Sequence, residues 1–245
     1  MRILALDSSG LVATIAIMED EQTLAEYTVN YKMTHSQTLL PMLDTVVKML
    51  GFDLDTIDAI AIAGGPGSFT GLRIGSATAK GLGLALEKPL VHIPTADGMA
   101  HNMYGSSGLI CPIMDARRSQ VYTGLYRYEE RFDVVESQMA LAVETLIKKL
   151  NDYGEKVTFL GDGVPVYKEQ LIQGLRVPYA FAPANMNRQR AAAVGVLAMQ
   201  YYQEGRMETA ADHKPDYLRP SQAERERAVQ ERAEQESDEQ EQIRE

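Results

Sequence analysis

One stretch of this chain occurs twice, and that repetition limits the fold more than any single motif. Residues 3–18, ILALDSSGLVATIAIM, lay over residues 111–126, CPIMDARRSQVYTGLY: an apolar run, an aspartate closing it (Asp7 or Asp115), a tight turn and a second run. The segments downstream of the two copies also match in order. A third strand (TLAEYTVNY or FDVVE) leads to a helix (about Ser36 to Leu50, or VETLIKKL), a buried strand (IDAIAIAGG or KVTFLGDG) and another helix (Thr70 to Leu86, or VPVYKEQLIQ). PLVHI closes the first unit. A long helix from about Asn187 to Glu204, with Ala191, Val194, Ala198 and Tyr201 along one face, closes the second. Such self-similarity predicts two lobes built on one plan, residues 1–103 and 104–220.

Two lobes, each a three-strand meander followed by alternating helices and strands, resemble the actin, hexokinase and Hsp70 superfamily. The expected class is therefore a two-lobed α/β duplication of the ASKHA, RNase H-like kind. In that architecture the aspartate-bearing turn of each lobe faces a cleft where nucleotide phosphates lie, although fold alone does not settle function.

With 45% apolar residues in 245, the chain can bury two such lobes. After Pro220, 13 of 25 residues are charged, so 221–245 reads as a solvated, disordered tail. The tail carries half of the net charge of −10 and leaves a mildly acidic body without clustered Lys and Arg. Such a body grips nucleic acid poorly, so any RNA is expected to be held by a partner. No apolar run approaches a membrane span and MRILALD enters a strand directly, which predicts a soluble, cytosolic protein without membrane association. The lone Cys111 excludes an internal disulfide and reads as a buried structural thiol.

Several residues invite a chemical reading. Asp7, Ser8 and Ser9 stand at the end of the first strand, where an open sheet presents its ligand crevice; nucleotide contact and a plain turn both account for them. Arg117 and Arg118 occupy the equivalent turn of the second lobe, where they would crowd a phosphate but could meet an anion or a partner carboxylate. GDG at 161–163 ends another strand and resembles the adenine-side or phosphate-side glycine turns of that architecture, while a tight strand-to-helix turn explains it equally well. His35, His92, His101 and His213 show no metal spacing, so no metal site is expected, nor is a catalytic nucleophile.

GGPGSFTGLR, residues 64–73, has the composition of a phosphate loop but not its spacing, because Leu72 and Arg73 follow Gly71 where a Walker loop needs lysine. It reads instead as a turn and cap launching a helix in which Gly71, Gly75, Ala79 and Gly83 recur every fourth residue, beside a row of Ala77, Gly81 and Ala85. Glycines in a helix cost roughly 1 kcal/mol each against alanine, so a close neighbour is expected, within the fold or in another chain. In the preceding helix Leu39, Met42, Leu43, Val46 and Leu50 form the core stripe, while Leu40 and Val47 add apolar surface beside it. The predicted partner face is Leu39, Leu40, Leu43, Val47, Gly71, Gly75, Ala79 and Gly83. On that reading Gly75→Leu or Leu40→Glu would leave the lobe folded and abolish pairing.

ILALDSSG, THSQTLLPMLD, GGPGSFTGLRIGSATAKGL, MDARRSQVYTGLY, GDG and PDYLRPSQAE together resemble the bacterial TsaB family, also called YeaZ, across residues 1 to about 224. The resemblance implies a part in making threonylcarbamoyladenosine next to the anticodon of tRNA. It implies a non-catalytic subunit pairing with the catalytic paralogue TsaD through its first two helices, recruiting the ATPase TsaE, and meeting tRNA only through the complex. TsaD-like chains hold their metal with an HxxxH pair after the strand matching PLVHI; here Thr95 and Met99 stand at those positions. No intrinsic cofactor is implied, with ATP or ADP admitted at the partner interface, and homodimerisation through the same face stays open. The alternatives are an actin-fold ATPase or a glycoprotease-like peptidase acting alone, and an RNase H-like nuclease, which would need more clustered carboxylates than Asp7 supplies.

Overall fold

In the computed structural model, residues 1–31 and 34–219 are described; the tail expected at 221–245 lies outside the described residues. β1 (Arg2–Asp7), β2 (Ala13–Glu19) and β3 (Gln22–Val29) form an antiparallel meander, followed by α1 (His35–Leu50), β4 (Ala59–Gly65), α2 (Phe69–Ala85) and β5 (Leu90–Pro94). β4 runs parallel to β1 and β5 parallel to β4, giving the sheet order β3-β2-β1-β4-β5. A short helix α3 (Thr95–His101) crosses to the second sheet. There β6 (Leu109–Asp115), β7 (Gln120–Tyr128), β8 (Phe132–Ala142), α4 (Val143–Tyr153), β9 (Val157–Leu160), α5 (Gly163–Gly174) and β10 (Tyr179–Phe181) repeat the plan as β8-β7-β6-β9-β10. The chain is thus the expected duplication, with the same meander and the same parallel crossovers in both lobes.

Period-2 alternation along the strands sorts side chains by size. On one face of the first sheet Leu4, Leu6, Ile15, Ile17, Ile60 and Ile62 pack against α1 and α2. The other face is mostly small: Ala5, Ala16, Ala59, Ala61 and Ala63, with Ile3, Met18 and Val91. The helix seated on that small face is α6 (Ala191–Gln203), through Ala191, Val194, Leu197, Ala198 and Tyr201. In the second lobe Leu109, Cys111, Ile113 and Phe159 face α4 and α5. The opposite face, with Ile110, Met114, Tyr126 and Leu160, takes α3 through Ala96, Met99 and Ala100.

The lobes therefore exchange helices. The expected boundary at 103/104 follows the sheets but not the packing, because α3 lies in the first segment and covers the second sheet while α6 does the reverse. Asp97 ties the exchange at its centre: its carboxylate accepts from Tyr126 Oη (2.7 Å) and Tyr201 Oη (3.3 Å). Burial pushes the Asp97 carboxyl above its usual range, against the pull of the two tyrosines.

Three local expectations change. α3 and β10 are additions to the expected elements, since seven and three residues are too short for a period to register. α6 begins at Ala191 rather than near Asn187 because its first amide donors are taken from outside the helix: Ala191 N–H donates to Thr14 Oγ1 (3.2 Å) and Ala192 N–H to Glu26 Oε1 (3.0 Å). Leu50 leaves the core stripe, 40% exposed, as the helix unwinds at a left-handed Gly51.

After α6 the chain returns over the first lobe as a strap. Glu208 pairs with Leu90 as an antiparallel bridge, and Lys80 Nζ donates to the carbonyls of Ala211 (2.9 Å) and His213 (3.0 Å). Asp216 N–H donates to Gly64 O (2.7 Å), then Arg219 reaches the second lobe, donating to Ala116 O (2.9 Å). Gly65 permits this passage: its φ of +131° suits glycine, and a Cβ there would lie 2.1 Å from Asp216 O. Among the described residues no helix is long and apolar enough to cross a membrane.

Candidate functional site

The aspartate turns of the two lobes meet across a cleft of about 1110 Å³. Ser9 and Gly10 of the β1–β2 turn, His35 at the head of α1, the 66–72 segment, Asp115, Arg117, Tyr122 and Asp162 of the second lobe, and Asp216, Tyr217 and Arg219 of the strap line it.

Two of the expected nucleotide contacts are not available to a ligand there. Asp7 and Ser8 are each 1% exposed and absent from the cleft wall. The Asp7 carboxylate accepts from Ser9 N–H (2.8 Å), Ser8 Oγ donates to Gly71 O (2.9 Å), and Ser68 N–H donates to Ser9 O (2.6 Å). These groups clamp the turn onto the start of α2, and of the three only Ser9 lines the cleft. Burial pushes the Asp7 carboxyl up to about 6, outweighing its hydrogen bonds from Ser9.

In the second lobe Arg117, Arg118 and Ser119 take three consecutive left-handed conformations, with φ of 65°, 54° and 55°. Both arginines are exposed, and Arg117 faces the cleft while Arg118 does not. Asp115 holds this turn by accepting from Arg117 N–H (2.9 Å) and Tyr167 Oη (2.7 Å). Three carboxylates, Asp115, Asp162 and Asp216, thus stand around two guanidinium groups, and Arg219 is committed to Ala116 O. Burial raises the Asp162 carboxyl above its usual range, against the pull of its hydrogen bond from Asp115 N–H. An excess of carboxylates does not make a cradle for a polyphosphate.

α3 carries Thr95 and Met99, the two positions that the resemblance sets against the histidine pair of TsaD-like chains. Thr95 is fully buried, its Oγ1 accepting from Gly65 N–H (3.1 Å), and Met99 is 1% exposed in the apolar cluster under the second sheet. Neither side chain offers a metal ligand in this setting.

The outer face of α1 and α2 is the other candidate, and here the predicted residues divide. Leu39 (1%) and Leu43 (4%) are core, and Gly71, Gly75, Ala79 and Gly83 all point inward. A Cβ on Gly71 would meet Ser8 O at 2.1 Å, one on Gly75 would meet Ser8 Oγ at 2.3 Å, and one on Gly83 would meet Ala210 Cβ at 2.9 Å. That row serves close packing within the lobe, so those six residues leave the partner face and Gly75→Leu is no test of pairing. Leu40 stays outside, 51% exposed, and Val47 is half-buried against the core. The row that does face outward is the second one, Ala77, Gly81 and Ala85, with Leu84 63% exposed beside it. Gly81 has nothing within 4 Å of an ideal Cβ. At the near end Arg73 stacks on Phe69, 3.9 Å from guanidinium to ring centroid, and donates to Tyr217 Oη (3.3 Å), linking the helix face to the strap and the cleft.

Sequence reasoning missed the strap as part of the cleft. PDYLRP marked the segment without telling that it folds back from beyond the second lobe to Gly64. Cys111 is buried as expected, its Sγ 3.4 Å from Thr123 Oγ1, and desolvation pushes its thiol up to about 12, which leaves it inert.

Known proteins match this chain over most of its length. The family model described as "TsaD: tRNA N6-adenosine threonylcarbamoyltransferase" matches residues 22–227. The "tRNA threonylcarbamoyladenosine biosynthesis protein TsaB" of Bacillus subtilis (strain 168) is 33% identical over 229 residues, 91% of this chain and 96% of the relative. Its namesake in Escherichia coli (strain K12) is 28% identical over 226 residues, 89% of this chain and 95% of the relative. The solved structure "YeaZ from Pseudomonas aeruginosa" superposes with a TM-score of 0.77 at 27% identity, covering 89% of this chain and 99% of that one.

Proposed function

The chain belongs to the TsaB (YeaZ) family, and from that premise we propose that it serves tRNA threonylcarbamoyladenosine biosynthesis as a catalytically silent subunit, docking a TsaD-like catalytic partner on the outer face of α1 and α2. The observation that carries the docking surface is Gly81. A glycine in mid-helix with open space around its Cβ position destabilises the free chain with no gain inside it, which is expected where another backbone must come close. Leu40 on α1 and Leu84 on α2 supply apolar area that the lobe itself leaves in water.

Two features support this silence: the side chains of Thr95 and Met99 are poor metal ligands, and Asp115, Asp162 and Asp216 line the cleft. TsaE-like ATPase recruitment, an ATP or ADP at the joint, and indirect contact with tRNA belong to the assembled complex in this reading, and the mildly acidic body fits RNA held by another subunit. A second copy of this chain is the competing occupant of the same face, and a partner titration against the purified dimer or monomer separates the two. The deciding experiment is reconstitution: the chain alone transfers nothing to tRNA, and adding it to TsaD-like, TsaE-like and adenylate-forming partners restores modification. Full modification without it would overturn the proposal.

A further inference from the structure

Two of the four histidines meet in the fold although 121 positions separate them in sequence. His92 on β5 and His213 on the strap face each other with ring centroids 5.6 Å apart. Glu208, at the strap's bridge to β5, accepts from His213 Nδ1–H at 2.7 Å. One ligand atom from each of the three residues lies within 4.8 Å of the other two. The His213 side chain is fully buried, and its Nε2 is a buried polar atom with no hydrogen-bond partner among the described residues. A buried, unpaired ring nitrogen is costly unless a ligand satisfies it. The pocket is also shaped for an imidazole: at Gly64, a Cβ would fall 2.1–2.6 Å from three atoms of the His92 ring.

We propose that His92, His213 and Glu208 form a binding site for a zinc-class divalent cation, which clasps the C-terminal strap to β5. Two imidazoles and a carboxylate are a donor set suited to zinc, with bonds of about 2.0–2.2 Å that place ligand atoms roughly 3.4 Å apart in a tetrahedron. The present separations close to that value with side-chain shifts of about 1 Å, within the reach of rotamer adjustment. Glu208, 30% exposed, opens the site to solvent, so water completes the fourth position and the cation has an entry path. Each neutral imidazole donates the lone pair of its unprotonated ring nitrogen, so the metal–nitrogen bond forms with no proton lost from the ring. The site stands apart from the interlobe cleft and from the α1–α2 face, whose lining it does not share.

The test uses the full chain, freed of metal by chelator and dialysis, titrated with zinc chloride by calorimetry and with cobalt chloride by visible absorption. The expected result is saturable one-to-one binding and the visible bands of four-coordinate cobalt. His92→Gln and Glu208→Gln, which keep side-chain volume, each weaken binding at least about ten-fold. His213→Gln perturbs a fully buried ring, so the other two substitutions decide the matter if it fails to fold. Absence of saturable binding to the parent chain overturns the proposal. So does parent-like affinity in the His92→Gln and Glu208→Gln variants, since the cation would then sit on other side chains.

Discussion

Replacing Gly81 by alanine separates the chain's own stability from its docking. Gly81 lies inside α2, where alanine is favoured over glycine by about 1 kcal/mol, and its new Cβ would meet nothing within 4 Å, so no clash offsets the gain. The free chain should therefore become more stable by about 1 kcal/mol, a rise of about 2–4 °C in Tm for a chain of this size. If a partner backbone rests on that surface, the same methyl overpacks the joint at about 1–3 kcal/mol, an affinity loss of roughly 5- to 150-fold. Gly71→Ala is the internal contrast, because its Cβ would lie 2.1 Å from the Ser8 carbonyl; it should cost the free chain about 1–3 kcal/mol. Urea titration of the purified chains gives the first quantity, and calorimetry against a TsaD-like partner gives the second. A Gly81→Ala chain that is less stable than its parent refutes the open-surface reading. One that is more stable and binds the partner with unchanged Kd refutes docking at Gly81.

The same geometry gives two further expected outcomes. Leu40→Glu should leave stability within about 0.5 kcal/mol, since the side chain is already half in water, while abolishing co-purification with the TsaD-like partner; parent-like pairing would remove Leu40 from the interface. Asp7→Asn should stabilise the chain in a pH-dependent way. The native carboxyl titrates at about 6 against 3.8 for the ordinary group, so the folded state binds the extra proton between those values and loses stability as pH rises through them. Asparagine keeps an acceptor for Ser9 N–H and removes that loss, about 3 kcal/mol at pH 8 and shrinking to about 1 kcal/mol near pH 4.5. Equal urea midpoints for variant and parent at both pH values would show that ionised Asp7 carries no such penalty.

How far the fold was legible depended on whether a pattern named its own partner. Strand alternation did so: Leu4 and Leu6 against Ala5 announce two faces, and the repeat of that grammar from Leu109 announces a second sheet. The helix exchange was illegible because α6 is apolar on most of its circumference, with Ala191, Ala193, Val194, Leu197, Ala198 and Tyr201 all buried. Such a pattern says that the helix is covered without saying by which lobe. The small-residue rows of α2 posed the same problem. Gly71, Gly75, Ala79 and Gly83 share a four-residue spacing with Ala77, Gly81 and Ala85, and residues distant in sequence, Ser8 against Gly71 and Gly75 and Ala210 against Gly83, decide which row faces inward.

GGPGSFTGLR shows why composition misleads and connectivity corrects it. A phosphate loop needs backbone amides left free and a hollow in front of its glycines. Here three of the amides are already engaged: Gly65 N–H donates to Thr95 Oγ1, Ser68 N–H to Ser9 O and Gly71 N–H to Ser68 Oγ. The space in front of the glycines is filled by backbone from elsewhere, Asp216 O before Gly65, Ser9 O before Gly67 and Ser8 O before Gly71. The glycines exist because three chain segments cross at one point, so what the segment holds is the protein itself: the first turn, the launch of α2 and the returning strap. A phosphate cradled on the amides of Gly65, Ser68 and Gly71 would require those contacts to open together, at the cost of at least three hydrogen bonds of about 1 kcal/mol each.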